Sequence, residues 1–158
     1  MEVVIIGGLH HNTLGVIRSI GERVPRKDIV VLIVCEDPGN TNIISTSKYV
    51  LKKQLYYVDN YQDIVSWLKT HMEDGVQRVI ISCADGVTAE IISQKEELAD
   101  CYHMPDVKVD ILKLMSKKTQ AEFALNAGLQ VPEGMTWSHL GRFYLTHQQG
   151  RNSGQVKP

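Results

Sequence analysis

Three unbroken apolar runs constrain this chain more than any other feature. They are Val3-Val4-Ile5-Ile6, Ile29-Val30-Val31-Leu32-Ile33-Val34 and Val79-Ile80-Ile81. Each is strand length and rich in β-branched residues. A strand with one wet face alternates apolar and polar residues, whereas an unbroken run needs cover on both faces. The runs therefore predict strands over Glu2–Gly7, Asp28–Val34 and Gln77–Ser82, with a shorter one at Leu55–Val58. Between them the apolar residues fall at helical spacing. Thr13–Val24 aligns Leu14, Ile17, Ile20 and Val24, with Asn12 or Thr13 as cap and Pro25 just past the end. Tyr61–Met72 aligns Ile64, Leu68 and Met72, capped by Asp59 or Asn60. Asp85–Asp100 aligns Val87, Ile91 and Leu98, with Asp85 as N-cap.

Strand–helix alternation with right-handed crossovers predicts an α/β protein built on a Rossmann-like, doubly wound parallel sheet of order 3-2-1-4. The order reverses between the first and fourth strands, and ligands of such sheets bind where the carboxyl ends flank that switch. Two loops lie there. Gly7-Gly8-Leu9-His10-His11-Asn12-Thr13 combines glycines with a helix N-terminus and no carboxylate, a setting that suits an anion. Ser82-Cys83-Ala84-Asp85 follows the fourth strand. Gly8, His10, His11, Asn12, Thr13, Ser82 and Asp85 are the candidate binding residues. Asp85 reads as a helix cap, as a partner for a cationic or hydroxyl group, or as both. Gly7, Gly8 and Gly15 miss the spacing of the dinucleotide fingerprint, although Glu36 and Asp37 stand where a ribose-binding acid belongs.

Composition excludes several classes. Seventeen Lys and Arg offset eighteen Asp and Glu, for a net charge of −1 over 158 residues. This argues against nucleic-acid and membrane-surface partners. No segment approaches the roughly 20 apolar residues of a membrane helix, and the N-terminus lacks the basic region of a signal peptide. Cys35, Cys83 and Cys101 are an odd, dispersed set, which fits a reducing cytoplasm rather than a disulfide framework. His10-His11 and Cys101-Tyr102-His103 each lack a third ligand, so no metal site is expected. No nucleophile elbow, P-loop or paired catalytic carboxylates occur, so no catalytic residue is assigned.

After Pro105 the character changes. Ser116–Ala127 predicts a short helix, with Ser116 as cap and Gly128 just past its end. Leu129–Pro132 reads as extended, and Thr146–Pro158 as a polar, mobile tail. The stretch from Leu114-Met115-Ser116-Lys117-Lys118-Thr119-Gln120-Ala121 to Ala127-Gly128-Leu129-Gln130-Val131-Pro132 resembles the junction of ATP-grasp ligases. There a D-K…A…A-G-hydrophobic-x-V-P pattern links the N-terminal Rossmann-like (pre-ATP-grasp) domain to the nucleotide-binding lobes. Ser116 stands where that family often has Asp. The opening loop with Asn12-Thr13-Leu14-Gly15-Val16-Ile17-Arg18-Ser19 is similar to the start of the carbamoyl-phosphate-synthase-like and carboxylate–amine ligase group.

The resemblance implies a pre-ATP-grasp domain over residues 1–113, a junction over 114–134, and a cut-short start of the next domain, or a mobile tail, over 135–158. Lys117 matches the junction lysine that contacts ATP phosphate in several members. Lys157, in Val156-Lys157-Pro158, resembles the next ATP lysine. The implied activity is ATP-dependent carboxylate–amine ligation through an acyl phosphate, with ATP and Mg as cofactors of the full-length enzyme and the missing ATP-grasp domain as partner. The chain by itself is expected to be inactive, to hold no cofactor tightly, and to bind a small carboxylate or amine. A homodimer is a further possible partner state. The alternative is a stand-alone Rossmann-like module that binds a small molecule or nucleotide without catalysis.

Overall fold

The computed structural model describes residues 1–39, 41–71, 75–105, 113–114 and 116–131. The chain divides into two compact units, Met1–Met115 and Ser116–Pro158. The first is an α/β unit around a five-stranded, all-parallel sheet. In chain order its elements are β1 (Glu2–Gly7), α1 (His11–Gly21), β2 (Ile29–Val34), β3 (Leu55–Val58), α2 (Gln62–Thr70), β4 (Arg78–Ser82), α3 (Asp85–Ser93), α4 (Lys95–Leu98) and β5 (Tyr102–His103). The sheet order is β3-β2-β1-β4-β5. This is the Rossmann-like, doubly wound arrangement that the apolar runs predict, extended by one edge strand. β1 lies at the centre, with Val3 opposite Ile29 on one side and Val79 on the other.

Successive side chains of a strand point to opposite faces, so each run feeds two cores. Val4, Ile6, Val30, Leu32 and Ile80 meet Ile64 and Leu68 of α2, Val87 and Ile91 of α3, and Leu98 of α4. Val3, Ile5, Ile29, Val31 and Ile33 meet Ile17 of α1 together with Ile44 and Val50. Lys52–Gln54 form a 3-10 turn before β3, but among its described residues the crossover from β2 to β3 covers that second face without an α-helix. Asn42 shows why: its Oδ1 accepts from Ile44 N at 3.1 Å and Ser45 N at 2.9 Å, and its Nδ2 donates to Tyr57 Oη at 3.0 Å. A side chain that takes up backbone N–H groups in this way displaces helical bonding.

Several boundaries differ from the sequence expectation. α1 starts at His11, so Asn12 and Thr13 lie inside its first turn and the N-cap is His10. α2 starts at Gln62 with Tyr61 as N-cap by position, and Asn60, one of the two expected caps, supplies the side-chain bond from one residue further out. Asn60 Oδ1 accepts from Gln62 N at 3.1 Å, and Asp63 Oδ2 accepts from Asn60 N at 3.3 Å, a reciprocal capping pair. The helix expected over 85–100 breaks at Gln94, whose φ of −117° leaves the helical region. Asp85 is the first helical residue, with Ala84 as N-cap. Met72, the expected third residue of the α2 stripe, lies outside the described residues.

The amino end of the sheet is locked by one buried cation. Arg78 Nε donates to Glu2 Oε2 at 3.0 Å, and its Nη1 donates to His71 O at 2.9 Å and Val76 O at 3.1 Å. Nearby, Tyr102 Oη donates to Leu68 O at 2.8 Å. Replacing Arg78 by Ala strips three acceptors of their donor and is expected to destabilise the fold by about 3 kcal/mol. Replacing Lys69, whose ion pair with Glu97 is solvent-exposed, should change stability by less than about 0.5 kcal/mol. Urea unfolding midpoints of the two variants check this difference.

Candidate functional site

The first and fourth strands end side by side. Ile6 is in register with Ser82, and Cys83 N donates to Ile6 O at 2.8 Å. From there the chain turns to opposite faces, into α1 on one and α3 on the other, the arrangement that in doubly wound sheets leaves a crevice at the carboxyl edge. Its floor is set by Gly7. A Cβ on Gly7 would stand 2.4 Å from Thr13 Oγ1 and 2.8 Å from Cys83 Cβ. Only glycine lets the first turn of α1 fold this closely onto the end of β4. Thr13 is fully buried. It hydrogen-bonds the Cys83 thiol and lies 3.5 Å from His10 Nδ1. Burial raises the Cys83 pKa above the ordinary thiol value of 9.0, and the bond from Thr13 offsets part of that rise. The floor is thus packed and neutral.

The rim carries the polar groups. His10 is extended (φ −141°, ψ 169°) and half-buried, and no side chain caps α1. Its ring covers Gly8, where a Cβ would meet His10 Cδ2 at 2.9 Å. His11 and Asn12 are exposed. The first turn of α1 has no acidic residue. Its opening N–H groups therefore face the crevice edge with the positive end of the helix dipole unopposed. Across the crevice α3 also begins without a side-chain cap, but Asp85 sits in its first turn and is exposed. The two helix starts differ in sign: one favours an anion, and the other carries a carboxylate.

Gly8, His10, His11 and Asn12 thus gather on one rim and Asp85 stands at the start of the neighbouring helix. Thr13 belongs to the floor, with its hydroxyl engaged. Ser82 Oγ pairs with Thr88 Oγ1 at 2.7 Å on the α3 side of β4. Gly7 and Cys83 build the floor, although neither is a candidate from the sequence. The signal available for Gly7 is a glycine ending an apolar strand directly before a helix. Gly15 is exposed, and a Cβ there would meet nothing within 4 Å. The close helix–strand contact made by the third glycine of a dinucleotide fingerprint has no counterpart. Asp37 closes a local turn instead, accepting from Gly39 N at 3.0 Å.

Lys117 belongs to the second unit, where Lys117–Asn126 forms a helix, α5. Its Nζ reaches Gln120 Oε1 at 3.4 Å. Ser116 is the N-cap of α5 by backbone geometry, and its side chain makes no cap bond. Gly128 (φ +76°) closes the helix, with Gly128 N donating to Leu125 O and Leu129 N to Ala124 O, both at 2.9 Å. Lys157 and the segment 135–158 lie outside the described residues. Among the described residues no group of three His, Cys, Asp or Glu could hold a metal, and no helix is long and apolar enough to cross a membrane.

Two measurements test the floor. Gly7→Ala is expected to destabilise by about 2 kcal/mol through overpacking, and Gly7→Ala with Thr13→Ala should recover about half of that. In a chain with Cys35→Ser and Cys101→Ser, alkylation of Cys83 should reach half its plateau rate only above pH 9.0. The folded thiol keeps its proton to higher pH than the unfolded one. Its contribution to stability is therefore present below the unfolded pKa and is lost as pH rises beyond it. No family model, curated protein or solved structure matches this chain, and the meaning of the crevice rests on its residues.

Proposed function

We propose that the crevice between β1 and β4 binds a small molecule carrying both a carboxylate and an amine, and that the chain is the substrate-side domain of an ATP-grasp ligase. One observation carries the binding part: an uncapped, acid-free helix start opens over a glycine loop at the switch point, beside a second helix start that presents Asp85. The carboxylate is drawn to the N–H groups of α1, with Asn12 and His11 as side-chain donors. The amine is drawn to Asp85. An inorganic phosphate suits the first half of this arrangement and not the second, because Asp85 repels it.

The ligase part draws support from the doubly wound order and from the junction-like segment that ends in the Gly128 closure of α5. In such ligases ATP and Mg turn a carboxylate into an acyl phosphate that an amine attacks. Among the described residues no group of three His, Cys, Asp or Glu is assembled for a metal. The ammonium of Lys117 is turned to Gln120. The work assigned to this domain is to bind and orient, and no bond-making step is assigned to it. A stand-alone Rossmann-like module that binds a small molecule or nucleotide without catalysis is the second reading, and the doubly wound order supports it equally.

Calorimetric titration with amino acids, small carboxylates, ATP and NAD tests the reading. An amino acid or small carboxylate should bind more tightly than either nucleotide. His11→Ala and Asn12→Ala should each weaken that binding at least fivefold, about 1 kcal/mol. Each should leave stability within about 0.5 kcal/mol, since both residues are exposed and neither caps α1. Tight NAD binding, or amino-acid binding unmoved by both substitutions, would overturn it.

A further inference from the structure

β5 is only two residues long, and Pro105 explains why. Its ladder joins Arg78 to Tyr102 and Val79 to His103. Two residues further, the same register sets Pro105 opposite Ile81, and proline has no N–H to give. Beyond Val79 the outer edge of β4 has no strand partner among the described residues. Alternation fixes which groups that leaves. Arg78 N donates outward to Cys101 O at 3.1 Å, and Cys83 N donates inward to Ile6 O at 2.8 Å. The C=O of Ile80 and both backbone groups of Ser82 therefore face outward.

That edge lies in a cavity of about 570 Å³, a size typical of small-molecule sites. Ile91 and Ile92 of α3 form one wall, and Met104 and Pro105 another. Polar groups interrupt the apolar lining at its two ends. At one, Thr88 Oγ1 donates to Ala84 O at 3.1 Å, so the proton in the 2.7 Å bond to Ser82 comes from Ser82. Ser82 Oγ is left with acceptor lone pairs only. At the other end, His103 stands opposite Val79. Lys95, also in the lining, opens α4 just past the break at Gln94. Its ammonium carries three donors, so the contact it already makes does not exhaust it.

We propose that this cavity is a second binding site, separate from the β1–β4 crevice, for a small apolar amide with a free carboxylate: an N-acylated apolar amino acid or dipeptide. Its amide N–H groups meet the C=O of Ile80 or Ser82, and its carbonyl takes the N–H of Ser82, as in strand addition. Its side chains lie on Ile91, Ile92 and Met104, and its carboxylate turns to Lys95. A hydrocarbon without an amide leaves the strand edge unmet. A cationic end group is opposed by Lys95.

The test is a backbone-amide NMR titration of the chain with N-acetyl-valyl-leucine and with the same molecule methylated on its central amide nitrogen. The expected result is shifts concentrated at Ile80–Ser82, Thr88, Ile92 and His103, with methylation weakening binding at least tenfold. Ile92→Arg, its fold checked by the same spectra, should abolish the response. Equal affinity of the methylated compound, no shifts at millimolar ligand, or shifts confined to Gly8–Asn12 would overturn the proposal. The last of these would leave the crevice reading standing, while amino-acid binding that fails at the crevice would leave this cavity untouched.

Discussion

The burial of β1 on every side is the constraint from which the rest of the unit follows. Val4, Ile5 and Ile6 are fully buried, and both edges of the strand are taken, by β2 and by β4. A strand in that position offers no polar face to water, so helices or their equivalents must cover both sides. α1 and the Asn42 segment cover one side, and α2, α3 and α4 cover the other. The chain must change faces between β3 and β4. The consequence is a crevice at the neighbouring ends of β1 and β4, where the two connections leave in opposite directions.

Gly7 then decides what kind of surface that crevice has. Its missing Cβ lets Thr13 and Cys83 close the floor as a packed, uncharged layer. Recognition is left to the rim: backbone N–H groups at the start of α1, the exposed His11 and Asn12, and Asp85 opposite. A one-residue difference matters here. Had Asp85 been the N-cap, its carboxylate would be held by N–H groups of α3. As the first helical residue it stays exposed at the helix start.

The sheet was legible in the sequence because its cause is local: a run such as Ile29–Val34 has only one kind of home. The order 3-2-1-4 is the doubly wound arrangement expected for right-handed crossovers, and the sheet contains it as β3-β2-β1-β4. β5 was not legible, because two residues, Tyr102 and His103, carry no periodicity, and its edge is a consequence of tertiary register. Caps were read with mixed success. Asn60 holds a reciprocal bond with Asp63, a pattern visible at fixed spacing. The N-cap of α1 is His10, whose side chain makes no cap bond, because Gly7 and Thr13 set the entry of the helix by packing. The break at Gln94 leaves no apolar signature, and neither does the Asn42 crossover, which has no α-helix among its described residues. The crossover replaces regular structure through side-chain bonds that no apolar pattern records. Within the candidate site, the loop was found from topology alone. The division of its residues into floor and rim needed the distances around Gly7.

The two ends of the sheet are built on opposite principles. At the amino end Arg78 gathers Glu2, His71 and Val76 into one hydrogen-bonded knot. Trp67 stacks on His71 at 3.8 Å, and Tyr56 packs against both. Every strong donor named there is met by the protein itself, which stiffens the base of the sheet and leaves little for a ligand. At the carboxyl end two helices begin without side-chain caps, and the outer edge of β4 runs past its partner. Groups left unmet by the fold weaken it slightly where they stand, and they are also the groups to which a ligand can add. The described unit therefore separates its functions by position: the amino ends of the strands hold the fold, and the carboxyl ends keep their hydrogen bonds available.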